Sequence, residues 1–150
     1  MQTQLKLNQK VMLHQREYMI IGIDTYTLKN LFGKIKKWIS YTLIDNKKTK
    51  TWITYGTADG YFTEWAIIPL KQFKQYAGAL KMDLTGIAHI SFKGNPGYST
   101  PVSEIVWLEA NKKYDYVSLE RFLNQNKGNV IPLEPYYQSG KILKDFKITS

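Results

Sequence analysis

The chain predicts an all-β domain, mainly antiparallel, in a barrel-like or two-sheet arrangement with at most one short helix. Three observations lead there. Aromatic residues make up 14% of the 150 positions, with eleven Tyr and four Trp, and flat rings suit a pleated, half-buried surface. Apolar and polar residues alternate over one segment after another, which is the period of a strand. Turn-forming clusters separate those segments, among them Asp45-Asn46-Lys47-Lys48, Ala58-Asp59-Gly60 and Asn111-Lys112-Lys113.

Gln2–Asn8 reads as a short leading strand or lead-in with Leu5 and Leu7 on one face, and Lys10–His14 as a second short strand. Glu17–Leu28 is β-branched and aromatic; Gly22 in mid-run predicts a bulge or bend, because an interior glycine weakens a flat strand. Asn30–Gly33 is a loop. Lys36–Asp45 and Thr49–Tyr55 form a hairpin, with Trp38, Tyr41 and Leu43 on one side and Ile39 and Ile44 on the other. Asp59-Gly60 turns the chain into Tyr61–Ile68, which ends at Pro69.

Leu70–Leu80 changes period: Leu70, Phe73, Ala77 and Leu80 recur at intervals of three and four, so this is the place for a short helix or, since Gly78 weakens one, an irregular connector. Strands follow at Leu84–Phe92, Ser103–Ala110 and Tyr114–Phe122, with a loop at Lys93–Gly97. Phe122–Gly128 reads as a polar loop. Val130–Tyr137 carries Pro132 and Pro135 and so predicts an edge, and Lys141–Ile148 a last short strand.

The segment Ile20–Gly56, written without gaps at an offset of 64, lies over Leu84–Glu120. Gly22, Ile23, Lys29, Gly33 and Lys48 meet Gly86, Ile87, Lys93, Gly97 and Lys112 as identities, and the apolar pattern agrees around them. The expectation is one domain over 1–150, built of two similar halves, residues 20–56 and 84–120, with residues 69–83 as connector. Any site would then lie between the halves, near Trp38, Trp52, Trp107 and Glu120.

Composition narrows the chemistry. The absence of cysteine excludes disulfides, thiolate nucleophiles and Cys-ligated metals. No apolar run approaches the roughly 20 residues of a membrane-spanning helix, and the N-terminus lacks the build of a signal peptide; a cytoplasmic protein without membrane insertion is expected. The formal charge is +9, yet 19 of the 21 basic residues are Lys. Lysine is the ordinary solvated surface residue, whereas Arg is the usual fork for phosphate.

No catalytic set is legible. His14 and His89 are the only histidines, and neither accompanies a Gly-x-Ser-x-Gly elbow or a second metal ligand at a working spacing. No phosphate-cradling glycine motif occurs, and no cofactor or metal is expected. Among the carboxylates in or beside strands, Glu120 stands out because Arg121 follows it; a structural ion pair is the preferred reading, and a general acid or base the alternative. Trp38, Tyr41, Trp52, Tyr55, Tyr61 and Trp65 lie amid Lys34, Lys36, Lys37, Lys47, Lys48 and Lys50. Stacking rings within a basic groove are what single-stranded nucleic acid requires, although large rings also fill a β-core, which is the preferred reading.

Trp38-Ile39-Ser40-Tyr41-Thr42-Leu43, Lys50-Thr51-Trp52-Ile53 and Val117-Ser118-Leu119-Glu120-Arg121-Phe122 resemble the markers of DUF4178, a bacterial domain family of unknown function. In that family a Trp-x-x-Tyr-x-Leu strand pairs with one carrying Trp-Leu, and a later strand reads Leu-Ser-x-Glu-Arg-Trp. Tyr136-Tyr137 and Gly140-Lys141 extend the resemblance, which covers roughly Tyr18 to Ile142; Phe122 departs from the family's Trp, and Tyr41 lacks the usual preceding acid. The resemblance implies a mostly antiparallel β-domain and supplies no catalytic residue.

The functional expectation is a non-enzymatic binding or accessory module, with Trp38, Trp52, Trp107, Glu120 and Arg121 as candidate ligand-binding residues and a protein among the partners to be considered. A binder of single-stranded nucleic acid or another polyanion through the six lysines is the alternative, and an enzyme centred on Glu120 a second one.

Overall fold

The computed structural model describes residues 5–29, 35–56, 60–77, 81–94, 102–109, 116–126, 129–132, 136–143 and 147–149. The strands are β1 (Lys10–Leu13), β2 (Arg16–Lys29), β3 (Ile35–Ile44), β4 (Lys50–Gly56), β5 (Phe62–Ile68), β6 (Lys81–Gly94), β7 (Val102–Glu109), β8 (Tyr116–Asn126), β9 (Asn129–Pro132), β10 (Tyr136–Ile142) and β11 (Lys147–Thr149). Among the described residues there is one helix, the short α1 (Leu70–Ala77), between β5 and β6. The all-β antiparallel fold with one short helix is therefore as the sequence predicts.

The hydrogen-bonded order is β11-β1-β2-β3-β4-β5-β10-β8-β7-β6, and β9 pairs with β8 beside it. β6 then returns to pair with the C-terminal half of β2, from Gly22↔Gly94 to Lys29↔Ile87. The N-terminal half of β2 pairs with β1 instead, from Lys10↔Met19 to Leu13↔Arg16. The sheet thus curls round on itself, with β1 and β11 as an outer flap on β2.

Register divides each strand between two faces, because successive side chains point to opposite sides. On one face the ladder sets Gly22 opposite Thr42, Asp24 opposite Ser40 and Tyr26 opposite Trp38; it continues through Thr42↔Trp52 and Ser40↔Thr54 to Trp52↔Trp65 and Thr54↔Thr63. Trp65↔Gly140 and Gly140↔Tyr116 carry the same face on to β8. The other face holds Ile23, Ile39, Tyr41, Leu43 and Ile53. Trp38 and Tyr41 are three apart in one strand and so lie on opposite faces, contrary to the grouping read from the sequence.

The aliphatic core belongs to this second face. Leu5, Val11 and Leu13 close over Ile20, Tyr41, Leu43 and Ile53. Residues 5–8 are not a strand; they are a lead-in held by Asn8 N–H donating to the Ile20 carbonyl at 2.8 Å and Ile20 N–H donating to that of Gln9 at 3.0 Å. Burial pushes the Tyr41 phenol above its ordinary range. Farther round, α1 covers Ile68 and Val117 with Phe73, whose ring lies 4.8 Å from that of Tyr137. Burying a Leu, Ile or Phe side chain contributes about 1.5–3 kcal/mol, so these two clusters clamp the curled sheet from outside.

The bulge is where glycine marks it: the β2–β3 register shifts between Ile20 and Gly22. At the offset of 64, Ile20↔Leu43 is matched by Leu84↔Trp107. The hairpins then diverge. Ile44 pairs with Lys50, whereas Leu108 pairs with Val117, three residues beyond the position the offset would give.

Two segments are corrected. Residues 122–126, read as loop, continue β8 and turn back into β9 as a hairpin. Tyr136–Ile142 is a strand flanked by both β5 and β8, and residues 141–148 are not one strand. Gln138-Ser139-Gly140 lacks apolar content, yet Gly140 is required there: a Cβ would stand 2.8 Å from the Trp65 ring. The loops at 30–33 and 95–97, the Asp59 turn and the Asn111-Lys112-Lys113 turn lie outside the described residues.

Candidate functional site

One contact shows which way the sheet curves. The Tyr26 hydroxyl on β2 donates to Glu120 Oε2 on β8 at 2.9 Å, and the bond is buried. Along the shorter route, β6 and β7 stand between those strands. Three strand spacings amount to about 14 Å, a gap that two side chains bridge only if their shared face is concave. Asp24, Tyr26, Trp38 and Glu120 therefore line the inside of the curl.

The described part of the inner face carries many polar and aromatic side chains. Asp24 and Thr42 are fully buried on it, and Ser40, Thr54, Thr63, Ser118 and Glu120 are buried with them. Tyr26 stacks on Trp38, ring centroids 4.9 Å apart and planes within 15°. Gly56 lies opposite Trp38 in the ladder, so no facing side chain contends for that space. Trp65 donates Nε1–H to Thr54 Oγ1 at 2.9 Å and lies over Gly140, with Tyr116 at 6.4 Å. Leu28, Ala88 and Ile90 add a buried apolar stretch at the Tyr26 end.

Buried polar groups are normally hydrogen-bonded, since an unsatisfied one costs about 1–3 kcal/mol. Thr42 Oγ1 is buried without a hydrogen bond among the described residues. Its neighbours Tyr41 and Leu43 pack into the second-face core, so the hydroxyl points to the inner face. Gly22 stands opposite it and leaves room there.

The residues singled out from sequence are distributed unequally. Trp38 and Glu120 belong to the inner face, and Trp52 is half-buried on the same face. Trp107 pairs with Ser118, and Arg121 with Glu104; their side chains lie outside the described residues. Lys36 and Lys37 begin β3 and are exposed, whereas Lys47, Lys48 and Lys50 are exposed around the β3–β4 turn at its other end. Those ends are roughly 25 Å apart for a strand rising about 3.3 Å per residue. Lys34 lies outside the described residues. Trp38, Tyr41 and Trp65 are buried, so none of these rings is free to stack on an external strand of nucleic acid.

Tyr26, Asp24 and Thr42 were not singled out from sequence. The signal for Asp24 was present: a carboxylate within an otherwise apolar and β-branched run. His14 lies in the β1–β2 turn, where its Nε2 is 2.6 Å from Glu64 Oε1, and His89 is exposed on β6. Neither touches the inner face residues described above. Among the described residues no group of three or more His, Asp or Glu side chains could hold a metal ion, and no helix is long and apolar enough to cross a membrane.

These features define a class: a curled antiparallel β-domain whose aliphatic clusters lie outside and whose concave face carries acids, hydroxyls and stacked rings. Comparison with protein-family models, with curated proteins and with solved structures finds no match.

Proposed function

We propose that the protein is a non-enzymatic binding module that takes a small molecule against its concave face. The observation that carries this reading is the buried Tyr26–Glu120 hydrogen bond across a face built of acids, hydroxyls and a stacked Tyr–Trp pair. Small-molecule sites are concave, with aromatic walls and a few placed polar groups that fix orientation. A core made only for stability has no need of buried acids and hydroxyls, and this face carries them beside Leu28, Ala88 and Ile90.

The resemblance to DUF4178 is part of the same proposal; it adds a β-domain context and no residue role. An external polyanion is less well served, because the exposed lysines divide between two ends of β3 and the buried face carries carboxylates. The test is a small-molecule screen read by tryptophan emission and thermal midpoint. Hits whose effect is lost in Trp38→Phe or Glu120→Gln support the reading. A screen with no hits sensitive to inner-face substitutions, or hits that are turned over, counts against it.

A further inference from the structure

We propose that one end of the curled sheet docks on the surface of an anionic lipid bilayer, with Ile67 and Leu70 entering the headgroup region and Lys47, Lys48, Lys50 and Lys71 set against its phosphates. No segment crosses the bilayer in this arrangement. The proposal is independent of the concave-face reading.

Strand direction gathers these residues. β3 ends at Ile44 and β4 begins at Lys50, so Lys47, Lys48 and Lys50 stand at the end of the sheet where the β3–β4 turn lies. β5 is antiparallel to β4 and finishes at Ile68, at that same end. Trp52 pairs with Trp65, and two residues farther along the two strands come Lys50 and Ile67. Pro69 then leads directly into Leu70 and Lys71, which open α1. Neighbouring strands lie about 4.8 Å apart, so the lysines and the apolar side chains belong to one patch. All six are exposed.

The apolar members decide the partner. Ile67 is 66% exposed and Leu70 43%, two of the five large hydrophobic side chains exposed among the described residues. Aliphatic side chains beside lysines add little for a nucleic acid, which offers phosphates and stacking bases. An anionic bilayer offers charged headgroups and hydrocarbon just beneath them, so both halves of the patch find a counterpart. A planar surface meets one end of the sheet only. Lys36 and Lys37, at the far end of β3, take no part.

The turn that presents the lysines is well fixed. The Asp45 carboxylate accepts from the N–H groups of Lys47 and Thr49, and its carbonyl accepts from that of Lys48 at 3.1 Å. Lys48 itself adopts φ 67°, in the left-handed region that glycine enters freely and a lysine enters with strain. A glycine would make the easier turn, yet the chain carries an exposed cation there.

The experiment sediments the full chain with vesicles of phosphatidylcholine alone and of phosphatidylcholine mixed with phosphatidylglycerol, and titrates a single-stranded oligonucleotide in the same buffer. Binding to the mixed vesicles is expected to be at least tenfold tighter than to phosphatidylcholine alone, and to weaken as salt rises. Ile67→Ser with Leu70→Ser should weaken it at least fivefold, and so should Lys48→Gly with Lys50→Gln. Lys48→Gly relieves the turn, so it should keep or raise the thermal midpoint while binding falls. Lys36→Gln with Lys37→Gln removes equal charge at the far end and should change binding less than twofold. Circular dichroism checks each fold; if the pair at 67 and 70 fails to fold, Leu70→Ser alone replaces it and should weaken binding at least twofold. No preference for anionic vesicles, an equal loss in the far-end pair, or binding indifferent to the serine variants overturns the proposal. Tighter binding to the oligonucleotide than to the mixed vesicles overturns it in favour of nucleic acid. None of these outcomes bears on a ligand of the concave face.

Discussion

Tyr26 and Glu120 are 94 residues apart in the chain and share a buried 2.9 Å hydrogen bond. It joins β2 to a strand with which β2 makes no ladder, so it ties opposite walls of the curl at one point. Tyr26→Phe removes the donor and leaves the acid to be satisfied by other groups. The expected cost is about 1–3 kcal/mol, measured by urea unfolding. Glu120→Gln keeps an acceptor oxygen and should cost less. In a double-mutant cycle the two changes should be non-additive; simple additivity would mean that the bond contributes nothing to stability.

Gly140→Ala should disturb the Trp65 wall. The added methyl would meet three Trp65 ring atoms at 2.8–2.9 Å. The ring is buried and anchored through Nε1–H to Thr54, so it has little freedom to swing aside. Overpacking of this kind costs about 1–3 kcal/mol. A lowered thermal midpoint with a changed near-ultraviolet dichroism spectrum is expected, and an unaltered spectrum would show that Trp65 accommodates the methyl.

Thr42→Val should separate stability from binding. Valine has nearly the same shape and removes a buried hydroxyl that makes no hydrogen bond among the described residues, so the protein without ligand should become more stable, by roughly 1 kcal/mol. Ligand binding should weaken at the same time. A destabilised variant would indicate that the hydroxyl is satisfied in solution.

Asp45 contributes to the acid limb of stability. Its carboxylate accepts N–H bonds from Thr49 at 2.8 Å and Lys47 at 2.9 Å, with Arg16 Nη1 at 3.3 Å. The Thr49 bond foremost, with those of Lys47 and Arg16 against the opposing effect of burial, holds its pKa below the ordinary 3.8. A depressed carboxylate stabilises the fold fully above its unfolded value, and that contribution is lost as pH falls through the folded one. Asp45→Asn should therefore be less stable at neutral pH and lose less on acidification from about pH 5 to pH 2. Parallel pH profiles for the two proteins would refute this.

The alternating strands, the bulge at Gly22 and the switch to helical spacing at Leu70 were legible because each is a local rule that the fold does not override. Tyr136–Ile142 was not, because its Gln-Ser-Gly run is dictated by a neighbour, Trp65, that sequence reasoning cannot place. The site divides in the same way. Trp38 and Glu120 drew notice by residue type. Tyr26 and Asp24 gain meaning only once the sheet curls and brings β2 against β8. Trp38 and Tyr41 are large rings three residues apart, and strict alternation along β3 sends them to opposite faces.

That alternation has a consequence for recognition. Along β3, Ile39, Tyr41 and Leu43 face the aliphatic clusters, whereas Trp38, Ser40 and Thr42 face inward. On the proposed reading, odd positions answer to foldability and even positions also to the molecule that is recognised. On that reading recognition and folding are interleaved in one strand, and the inner-face bonds serve both.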